Sequence, residues 1–134
     1  MIVVLFLFLV IVPNHSYAKQ SSVGITRNLV TKSGVFIKIH LNVEKIEKLK
    51  PCEASVKIVD KTGAPVPDAL IYCSLYMPNF ATGSNRPSFK PSDEEGTYKS
   101  VMFFNESGGW LASFTVNLPE GEFEQVEVPF TVTQ

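Results

Sequence analysis

Histidine is nearly missing from this chain: two occur in 134 residues, and one of them, His15, falls just after the amino-terminal apolar run. Triad and general acid–base catalysis commonly need a histidine positioned by a carboxylate. The single remaining imidazole, His40, therefore gives catalysis little to build on. A nucleophile elbow, a phosphate-cradling glycine loop and paired histidines are missing as well. So is an excess of either charge: 12 basic and 13 acidic side chains nearly cancel and are scattered. That excludes the basic stripe by which nucleic acid is bound. The densest charge run, EKIEKLK at residues 44–50, alternates in sign, as a solvated strand end or turn does. No apolar run approaches the about 20 residues that cross a bilayer.

The apolar run that is present, Ile2 to Val12, meets Pro13 and then Ser16-Tyr17-Ala18. Its length and the small residues after it read as a secretory signal peptide cleaved after Ala18, although the amino terminus is its only positive charge. Cleavage leaves residues 19–134, the length of one domain, with no stable membrane span and a periplasmic or secreted location. The two cysteines, Cys52 and Cys73, then reach an oxidising compartment where a disulfide can persist. A chain of this size also buries an adequate core unaided. Both a Cys52–Cys73 bridge and two free thiols stay open.

Alternation dominates the rest. In GVFIKIHLNVE, from Gly34, the side chains of Val35, Ile37, Ile39, Leu41 and Val43 share one parity and Lys38, His40, Asn42 and Glu44 the other, the pattern of a half-buried strand. EASVKIVD at 53–60 repeats it before the turn Asp60 to Pro65. A further strand over 69–77 puts Ile71, Cys73, Leu75 and Met77 on one face and Leu70, Tyr72, Ser74 and Tyr76 on the other, so both faces are expected to be covered. Residues 78–96 hold three prolines and two glycines and read as a long loop. TYKSVMFF, WLASFTVNL and FEQVEVPFTVT complete the set, with Pro129 placing the last at an edge or a bulge. Residues 19–33 read as a flexible tail or a further edge strand. Six or seven short strands without an amphipathic helix predict an all-β, immunoglobulin-like antiparallel sandwich over residues 34–134.

Within that frame few residues suggest chemistry. His40 falls on the polar parity of its strand, where a solvated imidazole is expected. Soft sulfur ligands select monovalent copper, which makes Met77, Met102, Cys52, Cys73 and His40 weak candidate ligands. Cys73 and Met77, however, lie four residues apart on one strand face, about 13 Å along it, too far to share an ion. Cys73 is better read as a small buried apolar residue. The long loop exposes Phe80, Arg86 and Phe89 and is the candidate partner-binding surface, with the two phenylalanines equally able to tuck beneath it. Asn105-Glu106-Ser107 matches a glycosylation acceptor of a kind that arises often by chance.

The order LKPCEASVKIVDKTGAPVPDALIYCSLYMP, a Pro-rich loop, GTYKSVMFF and GGWLASFTV resembles the YtkA-like and FixH-like domains of bacterial envelope proteins. The matching positions are Asp60, Gly63, Pro65, Val66, Asp68, Ala69, Met77, Pro78, Gly96, Tyr98, Gly108 and Trp110. The resemblance implies an immunoglobulin-like sandwich in the cell envelope, with an unidentified protein partner there and a theme of copper handling and respiratory oxidase assembly. The piece after Met77-Pro78, NFATGSNRPSF, lacks the Met-rich or His-containing segment that many such domains carry. The expected function is thus that of an exported, non-catalytic accessory or binding module without a required cofactor. Its alternatives are a copper-binding carrier and an adhesion or prealbumin-like module, since KIVDKTGAPVPDALIY also resembles carboxypeptidase-regulatory-like β-domains.

Overall fold

The computed structural model describes residues 23–134; the expected signal peptide, residues 1–18, lies outside the described residues. Alternation sends one parity of every long strand inward. From β2 (Phe36–Leu41) these are Ile37, Ile39 and Leu41; from β4 (Cys52–Val59), Cys52, Ala54, Val56 and Ile58; all are buried. They meet Ile71, Cys73 and Leu75 of β5 (Leu70–Tyr76), Trp110, Ala112, Phe114 and Val116 of β8 (Gly108–Asn117), and Val128, Phe130 and Val132 of β9 (Phe123–Thr133). Each such aliphatic or aromatic side chain contributes about 1.5–3 kcal/mol when fully buried. Ile39, Val56 and Phe114 are 0% exposed, as the expected face assignment requires.

The strands form two sheets. With β1 (Ile25–Val30), β3 (Ile46–Glu47), β6 (Lys90–Pro91) and β7 (Thr97–Met102), their orders are β1-β2-β4-β7-β6 and β3-β9-β8-β5. Every pairing is antiparallel except that of β3 with β9. The chain is an all-β, immunoglobulin-like sandwich, with no helix among the described residues. Among the described residues no helix is long and apolar enough to cross a membrane.

Several local expectations are corrected. Residues 25–30 are an edge strand on β2, as one of the two readings had it. EKIEKLK contains β3, because buried Ile46 reaches the core beside Val132 while the charges around it stay outside. The span 78–96 is less of a free loop than its prolines suggest. Asn85 O accepts from Leu75 N at 2.8 Å, Ser88 bridges Tyr72, and β6 pairs with β7. The segment thus runs along the free edge of β5 and crosses to the other sheet, walling one side of the sandwich. The outer face of β5 is not covered as expected: Leu70 and Tyr72 are 59% and 58% exposed, because no third layer lies on this sheet among the described residues. Pro129 sits where β9 has a partner on one side only, since β3 pairs with Val132 and Thr133 alone. A missing N–H is tolerated there.

The residues of the family resemblance gather at the two ends of the sandwich as anchors. At one end, Asp60 Oδ1 accepts hydrogen bonds from Thr62 N (2.8 Å) and Ala64 N (3.1 Å) and from the Thr62 hydroxyl, closing the turn through Gly63. Tyr98 reaches over from β7: its hydroxyl accepts from Ala69 N at 2.9 Å and donates to Val66 O at 2.7 Å, tying the two sheets. Gly96, at φ +77°, lies so close that a Cβ would stand 2.8 Å from Pro65 Cβ and 3.0 Å from Ile58 O. At the other end the Trp110 ring, with Nε1 donating to Glu106 O at 3.0 Å, packs edge-on to Phe104 at 5.2 Å. Met77 closes against Gly108, where a Cβ would meet its methyl at 3.0 Å.

Candidate functional site

Desolvation decides the fate of the sulfur groups. Cys52 and Cys73 are both free thiols, 4% exposed each, on β4 of one sheet and β5 of the other. Burial pushes the Cys73 thiol up to about 12 and raises that of Cys52 as well. Neither meets the electropositive, partly exposed setting that makes a reactive thiolate. Cys73 stands opposite Phe114 in the β5–β8 ladder, whereas Cys52 stands opposite Met102 in the β4–β7 ladder, both side chains pointing inward. Met77 is buried at that same end of the core. The structure therefore brings Cys52 and Met102 side by side, with Met77 at the same end, and leaves Cys73 and His40 apart from them. No group of three His, Cys, Asp or Glu side chains suited to a metal occurs among the described residues.

His40 faces outward, as its parity requires, yet it is half-buried rather than freely solvated. Its Nδ1 lies 2.9 Å from Thr26 Oγ1, and Gly24 crosses the ring so closely that a Cβ would be 2.4 Å from Cε1. The imidazole fastens the edge strand β1 to β2. Among the described residues no carboxylate is hydrogen-bonded to it.

The three residues expected to form a partner surface separate. Phe89 is buried in the core against Phe114, ring centroids 5.8 Å apart, and holds the side wall in place. Phe80 is 69% exposed. Arg86 is exposed and rims a shallow depression of about 380 Å³ on the outer face of β5 and β8.

Two features escaped sequence reasoning. First, the ends of three loops, 42–51, 77–85 and 103–107, meet at the Trp110 end of the sandwich. Leu49 N donates to Phe104 O at 2.8 Å and Asn85 Nδ2 to Phe103 O at 2.7 Å, so the turn after β7 is clamped from both sides. This end displays Phe80, Phe103 at 42% exposure, and Leu49 at 59%. Leu49 also adopts φ 64°, a left-handed conformation that a branched side chain rarely takes. Second, the depression beside Arg86 is lined by Ser74, Ser88, Ser113 and Thr115 with Tyr72 as a wall. The outward parity of Ser74 and Tyr72 was legible; their meeting with Ser113 and Thr115 depends on the β5–β8 register.

Known proteins similar to this chain were found at the level of the family and of the fold. The YtkA-like family matches residues 36–115, and the chain belongs to that family. The chain is similar to the soluble domain of PmoD from Methylocystis sp. ATCC 49242 (Rockwell), at 13% identity and a TM-score of 0.48, over 79% of this chain and 96% of that one. It is also similar to the ZirS C-terminal domain, at 13% identity and a TM-score of 0.48, over 100% of this chain and 87% of that one. No curated protein matches the sequence.

Proposed function

We propose that this YtkA-like domain is an exported, non-catalytic binding module that docks a protein of the cell envelope through its three-loop end. The observation that carries the reading is the division of the molecule's chemistry. The thiols and thioethers are sealed in the core and the lone imidazole of the described residues is tied to a strand, while Phe80, Phe103 and Leu49 stand exposed together. Exposed apolar side chains gathered at one place mark interaction surfaces, and Leu49 combines its exposure with a left-handed backbone conformation, the kind of strain that clusters at functional sites. Work in copper handling or respiratory oxidase assembly enters from the family resemblance alone. A photo-crosslinking residue placed at Phe80 in the producing cell tests the reading. A discrete adduct from position 80, absent from the same probe at Lys38 on the opposite sheet, is expected; no adduct, or equal adducts from both positions, overturns it.

A second reading, a monovalent copper carrier, is supported by one juxtaposition, the Cys52–Met102 cross-strand pair with Met77 at the same end of the core. Directly opposed residues have Cβ atoms about 4.5–5.5 Å apart, close enough for two sulfurs to face one ion. Titration of the exported protein with monovalent copper under reducing conditions decides it. Binding of one equivalent, lost in Cys52→Ser and Met102→Ala but kept in Cys73→Ser, would establish the carrier; no stoichiometric binding removes it.

A further inference from the structure

The two outer faces of the sandwich differ in chemistry. The sheet holding β2, β4 and β7 turns Lys38, His40, Glu53, Lys57 and Lys99 outward. On the other sheet the outward positions of β5 and β8 are Leu70, Tyr72, Ser74, Tyr76, Leu111, Ser113, Thr115 and Asn117, without a charge. An uncharged stretch of aromatic rings, hydroxyls and an amide across two adjacent strands is unusual where surfaces normally carry charged side chains to stay soluble.

The depression of about 380 Å³ lies on this face. Ser74 stands opposite Ser113 and Tyr72 opposite Thr115 in adjacent strands, so the depression is lined by the hydroxyls of Ser74, Ser113 and Thr115 beside the Tyr72 ring; Ser88 adds another from the side wall, where it bridges Tyr72. None of these hydroxyls, nor the Arg86 guanidinium at the rim, takes part in any side-chain hydrogen bond or ion pair among the described residues. No carboxylate lines the depression. The nearest in register, Glu127 opposite Ser113, is engaged by the Tyr76 hydroxyl at 2.9 Å.

Each part of this array points to one class of ligand. Hydroxyls both donate and accept, which suits a partner that does the same. The half-exposed Tyr72 ring offers a flat apolar surface with a polar tip. An unpaired guanidinium binds a carboxylate or a phosphate in a fork. The volume falls at the lower end of small-molecule sites, about 300–1,000 Å³, larger than a lone oxyanion needs. We propose that Tyr72, Ser74, Arg86, Ser88, Ser113 and Thr115 form a subsite for a carboxylate-bearing saccharide, the sugar ring lying on Tyr72 and its carboxylate on Arg86.

The subsite shares no residue with the apolar loop end, so it stands or falls separately from crosslinking at Phe80. The exported protein, labelled with heavy nitrogen, is titrated with tetragalacturonate, with galactotetraose and with inorganic phosphate while its backbone amide resonances are followed. Saturable shifts with tetragalacturonate are expected at residues 72–74, 86–88 and 113–115. Arg86→Ala should weaken that binding about tenfold, the scale of a lost charge-assisted hydrogen bond, and bring it level with the neutral tetrasaccharide; Thr115→Val should weaken both sugars. Galactotetraose binding as tightly as tetragalacturonate overturns the role of Arg86. Phosphate shifting the same amides as strongly, or no probe shifting them, overturns the saccharide assignment.

Discussion

At the scale of single residues, the groups that looked chemical are packed in the core or tied to a strand, and some that looked structural are decisive. Tyr98 is the clearest case. Its hydroxyl satisfies Ala69 N and Val66 O in a buried setting, so Tyr98→Phe leaves both without that partner and should cost about 1–3 kcal/mol in urea denaturation. The thiols give a pH signature. Burial raises Cys73 from its ordinary value of 9.0 to about 12, so the fold accepts only the neutral form. Below the ordinary thiol range both folded and unfolded chains hold the proton and nothing changes. Above it the unfolded chain loses the proton and the folded one keeps it, so stability falls between about pH 9 and 12, by up to about 1.4 kcal/mol per pH unit. Urea midpoints of the native sequence minus those of Cys73→Ala should trace that decline. The inward parity of Cys73 was legible in the sequence; the Cys52–Met102 pairing was not, because parity says which face a side chain takes and nothing of its cross-strand neighbour.

At the scale of elements, alternation located β2, β4, β5, β7, β8 and β9 within a few residues, since each carries a buried and an open parity. It missed β3 and β6, which are two residues long and too short to show a period. The span 78–96 misled for a different reason: its prolines and glycines report local conformation, whereas its path along β5 is set by Leu75 N, Tyr72 and the Phe89 anchor. Phe80 and Phe89, alike in the sequence, should therefore separate in thermal or urea unfolding. Phe89→Ala removes a core side chain packed on Phe114 and should cost about 3–5 kcal/mol. Phe80→Ser changes an exposed position and should stay within about 0.5 kcal/mol.

At the scale of the molecule, the YtkA-like match over residues 36–115 takes in both ends of the sandwich, and the positions on which the resemblance was read are corners that hold the two sheets together. Asp60, Gly63, Pro65, Gly96 and Tyr98 fasten one end, and Met77, Gly108 and Trp110 the other. A pattern of turn and corner residues specifies a scaffold and carries no information about a working surface, which is why the fold was far more legible than the site. The central claim is that the soft nucleophiles are hidden and the surface does the binding. Thiol counting with a colorimetric disulfide reagent, without reductant, on folded and then unfolded exported protein tests this directly. The account predicts no promptly reacting thiol in the folded protein and two after unfolding. A thiol that reacts at once in the folded state, or fewer than two after unfolding, would contradict it.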